Sequence, residues 1–298
     1  MNTEIIDPRY NELDQWPTAT AVEAMLEGQF AAVAAAKAQV SAIAAAADAA
    51  AARLGSTGRL IYVGAGTSGR IAVQDGVELY PTYNWPRERL VFFMAGGLAA
   101  LTESAEGAED DEDAARREIN DAAIGPRDVV IGVAASGRTP YTVAAIEAAR
   151  VLGALTIGIA NNRDAPLVSA AEHGLVIETG AEIVAGSTRM KAGTAQKVVL
   201  NLFSTATMIR RGLVHQGRMV NMRVSNEKLL QRGREMVRDL AGVDILAAGS
   251  ALDEAGFEIK PAVLVALGAS PASARALLRE NAGSLRAAIA AWRKNPDA

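Results

Sequence analysis

The sequence predicts an α/β protein built on a doubly wound parallel sheet in three αβα layers. A long N-terminal helix precedes this sheet, and a small helical domain follows it. Three observations carry the expectation. Five apolar runs, LIYV (60–63), LVFFMA (90–95), DVVIGVA (128–134), ALTIGIA (154–160) and GLVIE (174–178), are rich in β-branched and aromatic residues and lack polar alternation, the pattern of strands covered on both faces. Helical stretches separate them, which sends the chain back over the sheet between parallel strands. Finally, 298 residues, half of them apolar and 21% charged, can bury a sizeable core.

Taken in order, residues 18–54 read as one long helix, because Val22, Met25, Leu26, Val33, Val40 and Ile43 recur at steps of three, four or seven. Gly55-Ser56-Thr57-Gly58 ends it with a turn signal. Strands and helices then alternate. The last part turns to short, charged helical pieces broken by Gly242, Gly249, Gly256, Gly268 and Gly283, and residues 268–292 offer two amphipathic helices with serine-rich starts. The expected organisation is an N-terminal helical segment (1–54), a sheet domain (55–222) and a small helical C-terminal domain (223–298).

Composition narrows the function classes. The net charge is −4, with 30 basic residues spread along the chain, whereas nucleic-acid binding calls for a concentrated basic surface. Aromatic residues make up 4%, too few for base-stacking platforms. There is no cysteine, which removes disulfides, thiolate metal ligands and cysteine nucleophiles. The opening MNTEIIDPRY lacks a basic region followed by an apolar one. Residues 31–54 are alanine-rich and carry Lys37, Asp48 and Arg53, a poor membrane span. A cytoplasmic protein with no nucleic-acid or membrane partner is expected.

Ligands of such sheets sit beyond the carboxyl ends of the strands, so the loops after the apolar runs are the place to look. After LIYV comes Gly64-Ala65-Gly66-Thr67-Ser68-Gly69, which fits G-x-G-x-x-G. A glycine turn opening a helix presents backbone N–H groups and a positive dipole end to an anion. A dinucleotide site adds an acidic residue at the end of the next strand, but LVFFMA runs into Gly96-Gly97. Thr67 and Ser68 put hydroxyls among the glycines instead, and Ser136, Gly137 and Thr139 repeat the arrangement after DVVIGVA. This favours a phosphomonoester over a dinucleotide. The alternative is a tight turn with no ligand. The two Ser-Gly-Arg loops are either an internal repeat or one solution reached twice. A third anion-friendly helix start is GSTRMKAGTAQK (186–197), with Lys191 as a candidate for the ligand's charge; ordinary capping is the other reading.

Glu78, in VELYPT close behind the first loop, is either a partly buried acid–base group or a helix-end glutamate facing water. Glu103, Glu106 and Glu109 are spaced to share a helical face, while Asp110 to Asp113 read as solvated surface. No oxygen-ligand spacing indicates a metal. His173 and His215 lie far apart and read as incidental.

Six ordered motifs, GAGTSGR, an acidic residue before Pro-Thr, EGAED, AASGRTPY, GSTRMKAGTAQK and SNEKL (225–229), together resemble the N-acetylmuramic acid 6-phosphate etherase family. The resemblance runs from about residue 50 to 230. It implies a sugar isomerase (SIS) fold, homodimers with shared active sites, and a phosphorylated amino sugar as the small-molecule partner. It also implies removal of D-lactate by a lyase-then-hydrate route that needs two carboxylates and no metal or cofactor. Carried over by motif, Glu78 is the acid that protonates departing lactate and Glu109 the base, or the reverse. Thr67, Ser68, Ser136, Gly137 and Thr139 would hold phosphate or sugar hydroxyls. The family usually reads Ser-Glu-Cys-Pro-Pro-Thr where this chain has Val77-Glu78-Leu79-Tyr80-Pro81-Thr82. A phosphosugar isomerase and a non-catalytic sugar-phosphate sensor are the alternatives on the same fold.

Overall fold

The computed structural model describes residues 2–103 and 105–295. Its described residues fall into two compact units, one comprising the chain up to Val77 together with Arg87–Ala206, the other Glu78–Pro86 together with the chain from Thr207 onward.

The first unit carries the sheet. Strands β1 (Leu60–Gly64), β2 (Leu90–Met94), β3 (Val129–Ala134), β4 (Leu155–Ala160) and β5 (His173–Val176) are all parallel and lie in the order β2-β1-β3-β4-β5. All five apolar runs become strands, the fifth one residue earlier than its apolar run starts. Every residue of β1, β3 and β4 is buried, as a sheet covered on both faces requires. The helices of the alternating region are α3 (Gly66–Tyr83), α4 (Glu112–Asp121), α5 (Pro140–Val151), α6 (Pro166–Ala170) and α7 (Lys191–Arg210). One apolar core joins Ile61, Val63 and Val130 of the sheet to Ile119 of α4 and to Tyr141 and Ile146 of α5.

The N-terminal segment departs from expectation. Two helices, α1 (Thr18–Lys37) and α2 (Val40–Leu54), replace the single long one and bend by 60° at their junction. There the N–H groups of Ala38 and Gln39 donate to Ala35 and Ala36, three residues back. That 3₁₀ tightening rotates the following face, and alanines that fit either geometry leave no trace of it in sequence. Ile43 is buried, but Val22, Leu26, Val33 and Val40 are about half exposed and Phe30 is 67% exposed, so most of the predicted apolar face is uncovered in the single chain. Among the described residues, no single helix is long and apolar enough to cross a membrane.

The second unit contains five helices, α8 (Glu227–Ala241), α9 (Ile245–Glu254), α10 (Ile259–Ala266), α11 (Pro271–Glu280) and α12 (Leu285–Lys294), packed on Val237, Leu252, Val263, Leu264 and Leu285. Ser270 and Ser284 cap α11 and α12, accepting from Ser273 and Ala287 N–H, as the serine-rich starts predict. Gly242 ends α8 in a left-handed conformation. Gly249, expected to break a helix, sits inside α9; one interior glycine costs a helix only ~1 kcal/mol.

Candidate active site at the strand order reversal

The order β2-β1-β3 reverses the direction of winding between β1 and β3, and open α/β sheets bind ligands beyond the carboxyl ends of the strands at such a point. Gly64 pairs with Val133 in the register of these strands, so the two serine loops leave the sheet side by side, about 5 Å apart where they start.

The first loop needs its glycines. A Cβ on Gly64 would lie 2.8 Å from Gly69 Cα, and one on Gly69 would lie 2.9 Å from the Gly64 carbonyl carbon. Both glycines thus let helix meet strand at backbone contact. Gly66 opens α3 at φ +52°, a left-handed angle that suits glycine. The first-turn N–H groups of a helix have no intrahelical acceptor, and at α3 they belong to Gly66, Thr67 and Ser68. Ser68 is buried and Thr67 half-buried.

A cavity of about 220 Å³ adjoins this loop. Ala65, Gly66 and Arg70 line it with Met94, Ala95 and Ala100, and Glu103, Glu106 and Glu109 reach it from the following segment. The three glutamates do not share a helix: Glu109 lies in the short 3₁₀ turn Ala108–Asp110, while Glu103 and Glu106 lie outside both that turn and the 3₁₀ turn Leu98–Leu101. Three left-handed glycines, Gly96, Gly97 and Gly107, curl this segment so that spacing meant for a helix face delivers the carboxylates to one cavity instead. Arg70 holds the segment in place, its guanidinium donating to the carbonyls of Ala100, Leu101 and Glu103 at 2.9–3.2 Å. The acidic block behaves as surface, with Asp111 capping α4 through Ala114 N–H and Arg116 pairing with Glu112 and Asp113.

The second loop reaches its helix differently. Ser136 and Gly137 precede α5, whose N-cap is Thr139 and first residue Pro140, whereas Ser68 and Gly69 lie inside the first turn of α3. The two Ser-Gly-Arg stretches therefore occupy different helix registers. Ser136 Oγ accepts from Arg138 N–H at 3.1 Å. Gly137 (φ +65°) packs so closely that a Cβ there would stand 2.8 Å from Ala160 Cβ and closer still to Ala165 Cβ.

The α7 start corrects an expectation. Its free N–H groups are already used: fully buried Glu182 accepts from Lys191 N–H at 3.0 Å and Ala192 N–H at 2.9 Å. Capping by the chain's own carboxylate replaces the anion-friendly terminus. Lys191 Nζ donates to Thr179 O at 2.8 Å; burial lowers its pKa, against the opposing charge of Glu182. Glu182 had only a weak signature, a lone acid inside the stretch Ala181 to Val184.

Another group that sequence reading missed is Asp75. It is buried on α3 and accepts from Tyr62 OH, Asn201 Nδ2 and Ser204 Oγ at 3.1, 2.6 and 3.2 Å. Burial raises its pKa, with the three hydrogen bonds acting against the rise.

The first unit thus gathers Thr67, Ser68, Ser136, Gly137 and Thr139 in the two loops flanking the order reversal, and sets Glu109 on a cavity shared with the first of them. Lys191 heads α7 in the same unit. Glu78 falls in the second unit. It is exposed, so of its two readings the partly buried one does not hold in the single chain.

Five parallel strands in this order, helices on both faces and serine-lined loops at the reversal define a SIS domain. The models of the glucokinase regulatory protein N-terminal SIS domain and of the SIS domain match residues 40–150 and 105–206. Proteins named N-acetylmuramic acid 6-phosphate etherase resemble the chain over nearly its whole length. That of Streptomyces coelicolor is 48% identical, covering 98% of this chain and 94% of the relative. That of Deinococcus radiodurans is 46% identical, covering 92% and 90%, and that of Salmonella schwarzengrund 41%, covering 96% and 97%. The chain belongs to the N-acetylmuramic acid 6-phosphate etherase family.

Proposed function

We propose that the chain is a carbon–oxygen lyase that removes the lactyl ether of N-acetylmuramic acid 6-phosphate, giving N-acetylglucosamine 6-phosphate and D-lactate. The observation that carries this reading is the pair of serine loops side by side at the order reversal, with Glu109 on a cavity against the first. The names of its relatives favour it over an isomerase or a sensor.

In the open-chain sugar the aldehyde acidifies the neighbouring C–H. Glu109 takes that proton, electrons move into a new carbon–carbon double bond, and the C–O bond to lactate breaks one carbon further on. Glu78 protonates the departing oxygen. Water then adds across the double bond, its hydroxyl replacing lactate and its proton restoring the C–H. Two carboxylates suffice, and their roles are exchangeable. Thr67, Ser68, Ser136, Gly137 and Thr139 hold the phosphate and sugar hydroxyls through hydroxyl and backbone groups, with Lys191 contributing positive charge.

The protein works in the cytoplasm as a homodimer whose active sites draw on both chains. The half-exposed Val22, Leu26, Val33 and Val40, with Phe30, support association, because an apolar stripe of this kind gains by burial. The organisation into an N-terminal segment (1–54), a sugar-phosphate domain (55–222) and a helical C-terminal domain (223–298) completes the proposal.

The test is incubation with N-acetylmuramic acid 6-phosphate and assay of free D-lactate, with the reaction repeated in deuterated water. Lactate release with deuterium beside the product aldehyde is expected. Aldose–ketose interconversion without lactate would overturn the reading, as would binding without turnover. Glu78→Gln and Glu109→Gln should each slow turnover by orders of magnitude; a wild-type rate in either removes that residue from the mechanism.

A further inference from the structure

The second unit holds a cavity of about 600 Å³ lined by none of the residues assigned above, within the size range of small-molecule sites. Four cationic side chains line it, Arg223, Lys260, Arg275 and Arg279, against one carboxylate, Glu258. Such an excess of positive charge on one concave wall attracts an anion. The carboxylate is partly spoken for, since Arg275 Nη2 stands 3.4 Å from Glu258 Oε1 while also donating to Ala255 O at 3.0 Å.

Two details set this wall apart from ordinary surface charge. Lys260 is 7% exposed, and lysine is seldom buried this deeply. Its Nζ donates to Gly283 O at 2.8 Å, one acceptor for a group with three donors. Burial and the nearby charge of Arg211 lower its pKa to about 8, so at pH 7 it remains mostly charged. Second, Phe257 lines the same cavity at φ +64° and 48% exposed. A bulky side chain in the left-handed region is uncommon, and backbone strain of this kind concentrates at ligand sites. The strain leaves an aromatic ring exposed at a cavity walled by cations, where a flat ring finds both a stacking surface and a counter-charge.

We propose that this cavity is a second ligand site, for a small phosphomonoester carried on a ring. Arg223, Lys260, Arg275 and Arg279 meet the phosphate, the arginines through the planar forks that suit phosphate oxygens. Phe257 meets the ring. The ring can be a sugar or a nucleoside, sources that share this chemistry and that experiment separates.

The test is hydrogen exchange on the full chain, following residues 256–261 and 275–283. Glucosamine 6-phosphate, AMP, glucosamine, adenosine and inorganic phosphate are each added at millimolar concentration. Protection by one of the two phosphomonoesters, absent with its unphosphorylated parent and weaker with inorganic phosphate, is expected and names the source. Arg279→Ala, on an exposed position of α11, should weaken that protection about tenfold, the effect of one lost charge-assisted contact. Lys260→Met should weaken it similarly, with circular dichroism reporting whether the fold is kept. Four results would overturn the proposal: no protection by either phosphomonoester, equal protection by an unphosphorylated parent, equal protection by inorganic phosphate, or unchanged affinity in Arg279→Ala.

Discussion

Replacing Gly137 with alanine tests whether the second serine loop is held by its packing. The residue has φ +65°, where alanine is worse than glycine by roughly 1–2 kcal/mol. The new Cβ would stand 2.8 Å from Ala160 Cβ and nearer to Ala165 Cβ, whereas unstrained carbons sit about 3.5–4.0 Å apart. Both neighbours are alanines, whose Cβ atoms are fixed by their backbones and cannot rotate away. Relief therefore needs a shift of about 1 Å in the backbone, and overpacking of this kind costs ~1–3 kcal/mol. The sum is a loss of about 2–5 kcal/mol. The shift would also disturb the Gly137 carbonyl, which accepts from Leu167 N–H at 3.0 Å, and with it Ser136. Urea unfolding should show the lost stability, and steady-state lactate release should show a raised KM. A variant within 0.5 kcal/mol of wild type and with unchanged KM would refute the packing argument.

Three further perturbations follow from buried charges. Glu182→Ala leaves the N–H groups of Lys191 and Ala192 without their acceptor and should cost about 1–3 kcal/mol in denaturant unfolding, with Glu182→Gln between it and wild type. Lys260→Met should stabilise at pH 7: the fall from 10.5 to about 8 corresponds to about 3 kcal/mol, offset by ~1 kcal/mol for the lost bond to Gly283 O. Because its folded-state pKa is depressed, the wild type should gain stability as pH rises from about 8 towards 10.5, and the variant should lack that rise. Asp128→Asn should cost about 2–3 kcal/mol near neutral pH by breaking the 2.6 Å pair with Arg59. Burial would raise the Asp128 pKa, but hydrogen bonds from the Arg59 side chain and backbone and from Gly125 N–H outweigh it and hold the carboxyl below its usual range. The gap between variant and wild type should therefore close as pH falls below 3.8, read by acid titration of stability.

Local chemistry wrote some features of this protein legibly into the chain. Strands buried on both faces must be apolar at every position, so LIYV and ALTIGIA announce themselves without partners. A serine placed to cap a helix, such as Ser270 or Ser284, acts within three residues. The glycine loop with Thr67 and Ser68 is equally local, as is the missing acid after LVFFMA that argues against a dinucleotide.

Other features are decided by the folded backbone and by the segments it brings together. Whether Gly64 and Ala134 end neighbouring strands is a matter of strand order, which apolar runs do not encode. Glu103, Glu106 and Glu109 converge on one cavity because left-handed glycines bend their segment and Arg70, some thirty residues earlier, ties it down. The α7 terminus reads as open to anions until Glu182 folds onto it. Apolar periodicity runs straight through Ala38 and Gln39, since alanine tolerates the tightened turn that separates α1 from α2. Strand order and the Arg70 tie join residues far apart in the chain, Glu182 caps α7 from nine residues away, and the α1–α2 break is a backbone choice three residues long that alanine leaves open; apolar periodicity carries no record of any of them.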